Sequence, residues 1–167
     1  MLTLPIPVMI LIPAALIFLF QESRWTHSFA PISTLAFWFG MVVGVLGITL
    51  AVWSVLTFIR YGDGSPAPWA PSKRFVARGP YCFVRNPMIL AVFLLLLTEA
   101  TLLRSFPLLA WFALFVFVNC LYIPFIEEKN LEQRFGATYL KYKECVSRCI
   151  PRATAWHAET EKKEKQN

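Results

Sequence analysis

Histidine is almost absent from this 167-residue chain: only His27 and His157 occur, at opposite ends, which makes a metal site improbable. Charge is also scarce. Charged residues make up 16% of positions against 57% hydrophobic, with a mean hydropathy of +0.54, a balance that excludes an ordinary soluble domain. The four cysteines, Cys82, Cys120, Cys145 and Cys149, show no C-x-x-C spacing. Three of them fall in segments expected on the cytoplasmic side, as reduced thiols. No basic stretch precedes the first apolar run, and Phe18-Leu19-Phe20-Gln21-Glu22-Ser23 contains no small-x-small cleavage site, so this run is expected to be a span and not a signal peptide.

The chain does contain long apolar runs. Residues 4–20, 35–59, 88–103 and 106–126 are candidate spans of an all-α polytopic membrane protein with about four transmembrane helices. The formal charge of +6 does not point to nucleic acid, because 14 of the 16 Lys and Arg lie in two segments flanking apolar runs, five in residues 60–85 and nine from Lys129 onward. Four spans put both segments on the cytoplasmic side with both chain ends, in a bacterial inner membrane or the endoplasmic reticulum. No obligate protein partner is inferred. One domain is expected over 1–154, followed by a charged, disordered tail over 155–167.

Several local features have a structural and a functional reading. Gly40, Gly44 and Gly47 share one helical face, where close helix packing is favoured over a cofactor wall. Gly62-x-Gly64-x-x-Ala67 matches a dinucleotide fingerprint in form only, since Pro66 and Pro68 forbid the helix it must open. The run from Ser65 to Pro71 is expected to be extended and polyproline-like, with Trp69 at headgroup level. Glu99, about 16 Å along its helix, is a functional candidate by depth, although nearby Arg104 favours packing. Pro124 should bend the last span just before Glu127 and Glu128. Beyond them Leu131, Phe135, Tyr139 and Tyr142 form an apolar stripe suited to a membrane-surface helix, interrupted by Gly136.

Two blocks carry the chemistry. The first is Gly79-Pro80-Tyr81-Cys82-Phe83-Val84-Arg85-Asn86-Pro87, a basic turn whose proline suits the first turn of the helix that follows. The second is Glu127-Glu128-x-x-Leu131-x-x-x-Phe135-Gly136-x-x-Tyr139-x-x-Tyr142, followed by Val146-x-Arg148-x-x-Pro151. In order and separation the two resemble the isoprenylcysteine carboxyl methyltransferase family, which also looks related to the phospholipid N-methyltransferases. The resemblance implies a cytoplasmic C-terminal helix covering a site for S-adenosyl-L-methionine (SAM), and a lipid or lipid-linked substrate arriving from the bilayer. Matched by motif position, it implies cofactor contacts from Lys73, Arg74, Phe75, Val76, Tyr81, Asn86, Pro87, Met88, Ile89 and Glu128, with Arg85, Asn86 and Glu128 as the catalytic set.

A ligand with a sulfonium, an ammonium and a carboxylate suits acids facing an arginine and a helix N-terminus. The chain departs from the family pattern at Asn86, where histidine is commoner, at Ile89 and Ala91, where tyrosine and glycine are usual, and over 119–126, which lacks the arginine that holds a prenylcysteine carboxylate. Two other readings stand beside it: an NADPH-binding relative of membrane sterol reductases, and a non-catalytic membrane subunit that keeps the fold.

Overall fold

The computed structural model describes residues 10–20, 29–62, 75–148, 150–152 and 154–156. The start of the first span, most of the connection after it, the proline-rich run with Trp69, Lys73, Arg74 and residues 157–167 lie outside the described residues. All regular structure among those described is helical: α1 (Ile12–Phe20), α2 (Leu35–Tyr61), a 3₁₀ turn (Gly79–Cys82), α3 (Pro87–Leu102), α4 (Phe106–Tyr122), a π-helical turn (Ile123–Glu127) and α5 (Glu128–Cys145).

Two of these helical stretches, α2 and the continuous run Phe106–Cys145, are long and apolar enough to cross a bilayer. Their large apolar side chains point outward. Trp38, Leu46 and Leu56 on α2, and Leu114, Phe117 and Leu121 on α4, are exposed, where the core helix of a soluble protein would bury them. The protein is therefore integrated in a membrane.

What α2 does bury is its small face. Gly40, Gly44 and Gly47 lie against α3, and a Cβ at these positions would meet Leu102, Thr98 and Leu94 or Leu95 at 2.8–3.1 Å. Backbone proximity of this kind lets dispersion contacts accumulate where lipid removes the hydrophobic drive between helices. The packing reading of the glycine face is the one realised. Hydroxyls along the two helices are satisfied internally: Ser54 Oγ donates to the Leu50 carbonyl at 2.6 Å and Thr98 Oγ1 to that of Leu94 at 2.8 Å, so neither costs an unpaired polar group.

α3 begins at Pro87, as expected for a residue without an N–H, and pairs with α4 as a hairpin through the Phe93 and Phe115 rings, 5.9 Å apart. Arg104 is exposed in the connecting turn with φ of 45°. Glu99 sits near this far end of α3, away from the polar motifs. Its Oε2 is buried without a hydrogen-bond partner among the described residues.

After α4, Pro124 cannot donate the helical hydrogen bond, and the chain answers with the wider π turn: Glu128 N–H reaches the carbonyl of Ile123, five residues back. A second break follows. Gly136, at φ 54° and ψ −132°, occupies a conformation open to glycine and strained for other residues. Lys143 Nζ reaches Glu132 Oε1 at 2.6 Å and Glu128 Oε2 at 3.0 Å, although 11 and 15 residues of straight helix would separate them by about 16 and 22 Å. Thus α5 folds back on itself at Gly136.

The apolar stripe on α5 does not face a membrane surface. Tyr139 and Tyr142 are buried, and Leu131 and Phe135 pack on the same cluster with Phe75 and Trp156. The sequence reading puts Trp156 in the charged tail; the structure buries it to 9% exposure and sets its ring 5.3 Å from that of Tyr142.

Two substitutions test this packing by thermal unfolding in detergent. Gly44→Leu must displace Thr98 and is expected to cost about 1–3 kcal/mol, whereas Val45→Ala on the exposed face of the same helix stays within about 0.5 kcal/mol. Gly136→Ala meets no neighbour within 4 Å, so its loss, of the order of 1–3 kcal/mol, comes from backbone strain alone.

Candidate active site

The first motif block forms a tight platform. Gly79 has φ of 57°, and a Cβ there would lie 2.9 Å from Thr57 Oγ1 and 3.2 Å from Trp53 Nε1, so glycine answers both a dihedral and a clearance requirement. The 3₁₀ turn is thereby held against the end of α2. From it the chain passes through Val84, buried at 2% exposure, to Arg85, Asn86 and α3.

The C-terminal strap closes over this platform. Arg85 N–H donates to the Ser147 carbonyl at 3.0 Å, Arg152 N–H to Phe83 at 3.0 Å and Trp156 N–H to Cys82 at 3.0 Å. Tyr142 donates its hydroxyl to the Tyr81 carbonyl at 2.5 Å, a bond that supports the depth at which the ring is buried.

At the centre lies Glu128, 2% exposed. Its Oε1 accepts from Arg85 Nη1 at 2.9 Å and from Arg148 Nε at 2.8 Å, and Lys143 Nζ stands 3.0 Å from Oε2. A buried carboxylate requires such compensation. Burial alone would raise its pKa, but hydrogen bonds from Arg148 and Lys143, with the charges of Arg85 and Arg148, hold it below the usual carboxylate range. Its neighbour differs. Burial pushes Glu127 up to about 7, the Glu128 charge adding to the rise; its Oε2, like that of Glu128, is buried without a hydrogen-bond partner among the described residues. The Tyr81 phenol is likewise raised, first by burial and then by the Glu127 carboxylate.

Of the residues singled out in sequence, Arg85 and Glu128 meet directly across 43 positions. Asn86 occupies the N-cap of α3 but makes no side-chain cap bond, so its amide is not spent on the helix. Met88 and Ile89 follow, half-buried, with backbone N–H groups in the first turn, where no intrahelical partner exists. Pro87 and Val76 are buried. Phe75 is drawn into the aromatic cluster, 5.0 Å from Tyr142 and 5.5 Å from Phe135. Lys73 and Arg74 lie outside the described residues. Sequence reasoning assigned no role to Lys143, which reaches Glu128 only through the fold-back, or to Arg148, which stands in the second block and was available from its spacing. Trp156 offered no signal among its charged neighbours.

Beside the charged cluster, α2 (Leu50, Trp53), the 3₁₀ turn (Pro80, Phe83), α3 (Leu90) and the strap (Pro151) line a wholly apolar cavity of about 250 Å³.

Lipid-facing helices and a mixed-charge site at their polar end, with an apolar cavity alongside, define a helical membrane protein equipped for an amphipathic ligand. The phospholipid methyltransferase family matches over residues 35–138, more than half of the chain. The protein belongs to that family, and is a membrane methyltransferase for lipid-like substrates. A search of curated proteins finds no match. The matched region ends within α5, before Lys143, Arg148 and Trp156.

The charge state of Glu128 has a measurable consequence. A carboxyl held below its unfolded value binds fewer protons when folded, so its stabilisation is complete above the unfolded value and is lost as pH falls through the folded one. Glu128→Gln leaves three cations facing a neutral group and is expected to cost about 3–5 kcal/mol at pH 7. In detergent unfolding curves that gap should close below about pH 4; a gap independent of pH would mean that the charge is not what stabilises.

Proposed function

We propose that the protein transfers a methyl group from SAM to a lipid or lipid-linked acceptor at the cytoplasmic face of the membrane. Four spans, with both basic segments and both chain ends on that face, complete the reading. The observation that carries it is the convergence of the two motif blocks: Arg85 and Glu128 in direct contact, beside the first turn of α3, in a chain of this family.

The residues present fit the cofactor. At this site Arg85 Nε and the Oε2 atoms of Glu127 and Glu128 are buried without hydrogen-bond partners among the described residues. Such a set of opposite polarities suits a ligand carrying both a carboxylate and a cation. Arg85 and the N–H groups of Met88 and Ile89 would take the carboxylate, as a helix N-terminus favours. The acidic pair would take the positive pole, and the Asn86 amide can donate or accept. Phe75, Val76, Tyr81 and Pro87 would shape the adenosine side, with Lys73 and Arg74 assigned by resemblance.

SAM, when bound, supplies a methyl carbon on a sulfonium: the acceptor lone pair forms the new bond as the carbon–sulfur bond breaks and its electron pair stays on sulfur. The chain's contribution is positioning and exclusion of water. A carboxylate acceptor would need no proton removed, whereas an ammonium acceptor would have to lose one first. The apolar cavity beside the site suits a lipid chain.

Calorimetric titration with S-adenosylhomocysteine tests the cofactor without knowledge of the acceptor. Saturable binding is expected, with Arg85→Ala weakening it by roughly tenfold or more. Binding of NADPH in its place would move the protein to the reductase-like reading, and binding of neither to a non-catalytic subunit.

A further inference from the structure

The hairpin of α3 and α4 has a polar end of its own, away from the charged site. Glu99 stands near that end of α3, about 18 Å along the axis from Pro87 and about 4.5 Å short of Leu102. With 16 residues, α3 is about 24 Å long, less than a hydrocarbon core of about 30 Å, so headgroups on that side are drawn in toward its end. Two backbone bonds close this end. Ser105 N–H donates to the Ala100 carbonyl at 3.3 Å, the bond that terminates a helix at a left-handed residue, and Ala30 N–H donates to the Leu102 carbonyl at 2.7 Å.

Three features here are not explained by packing. Glu99 Oε2 and Ser105 Oγ are buried without hydrogen-bond partners among the described residues, and each is costly while unmet. Arg104, five positions after Glu99, does not donate to either atom. It occupies the left-handed position of the turn instead, at φ 45° and exposed, where glycine would sit without strain. Glu99 as a whole is half-buried, so its carboxyl stands at the edge of the protein, and rotation about its last, two-fold torsion exchanges the inner oxygen with the outer one. An acid without a donor and an exposed cation thus share one end of the hairpin.

We propose that this end is a second headgroup site, in which Glu99 accepts hydrogen bonds from a primary ammonium and Arg104 binds the adjoining phosphate. The ligand is an ethanolamine-type phospholipid of the leaflet away from the charged site, held there without reacting. A primary ammonium brings three N–H donors, as that of lysine does, and a counter-charge for the carboxylate. Choline brings no N–H. A glycerol headgroup offers Arg104 a phosphate but leaves Glu99 without a cation. The strained arginine also finds a reason, since glycine would relax the turn and lose the phosphate contact. The site goes beyond the cofactor reading and does not depend on it.

The test is thermal unfolding of the full chain in detergent with short-chain phosphatidylethanolamine, phosphatidylcholine and phosphatidylglycerol of one acyl length. At about tenfold its Kd, phosphatidylethanolamine is expected to raise the wild-type melting temperature by roughly 3–5 °C, and the other two by less than half of that. Glu99→Gln should abolish the difference between headgroups. Arg104→Gly should raise the lipid-free melting temperature, because the turn is relaxed, and lose the response to phosphatidylethanolamine. Arg85→Ala, at the opposite end, should keep that response. Equal responses to the three lipids in the wild type, or a phosphatidylethanolamine advantage that survives Glu99→Gln, overturn the site and leave the buried oxygen to an internal water. An advantage lost in Arg85→Ala but kept in Glu99→Gln puts the lipid in the charged site and overturns it too. Titration with S-adenosylhomocysteine is a separate readout, so the cofactor reading stands or falls independently of these results.

Discussion

The burial of one carboxylate sets the terms for the polar half of this protein. Glu128 is 2% exposed, and an isolated charge at that depth would be neutralised or expelled. It survives because cations arrive from three other places: Arg85 before α3, Lys143 after the fold-back of α5, and Arg148 on the strap. The requirement to compensate one charge thus fixes the mutual position of four segments. A hydrophobic cluster could hold them at similar cost, but would not dictate which faces meet. Glu132, at 2.6 Å from Lys143, removes part of the excess positive charge, and the remainder lies beside the first turn of α3, where an anion is already favoured.

The aromatic cluster is the apolar counterpart of this arrangement. Phe75, Phe135, Tyr139, Tyr142 and Trp156 pack edge to face or tilted, with centroids 5.0–6.3 Å apart, geometries that aromatic quadrupoles prefer. Tyr142 belongs to both systems, since its ring lies in the cluster and its hydroxyl bonds to the Tyr81 carbonyl. Nonspecific burial of area and directional bonding therefore act on the same strap.

Much of this architecture was legible in the chain. Apolar length located the two helices able to cross a bilayer, α2 and the run that begins at Phe106, Pro87 marked the start of α3, and the glycine face of α2 foretold the close packing that Leu102 and Thr98 now define. These are local signals, carried within one or two turns. The paired motif blocks reached further and brought Arg85 to Glu128. What escaped depends on partner choice across long separations. The stripe Leu131, Phe135, Tyr139 and Tyr142 has the same period whether it meets headgroups or Phe75, so periodicity could not tell a membrane-surface helix from a folded-back one. Gly136 showed as an interruption, but the direction of the turn is a dihedral property. Trp156 lies among charged residues and is buried only because backbone bonds from 152 and 156 carry the strap along Phe83 and Cys82.

The different fates of the two adjacent acids trace back to Pro124. A proline here removes an N–H that the helix would use, and the chain recovers a donor five residues along, from Glu128 to Ile123. The π turn widens the backbone over 123–127 and shifts the phase of everything after it relative to α4. With a regular helix through this point, the acid pair would meet the cations in a different rotation. The same break ends the exposed apolar surface of α4 at Phe125 and Ile126, and half-buried Glu127 and buried Glu128 follow. One missing N–H thus divides the lipid-facing helix from the charged site.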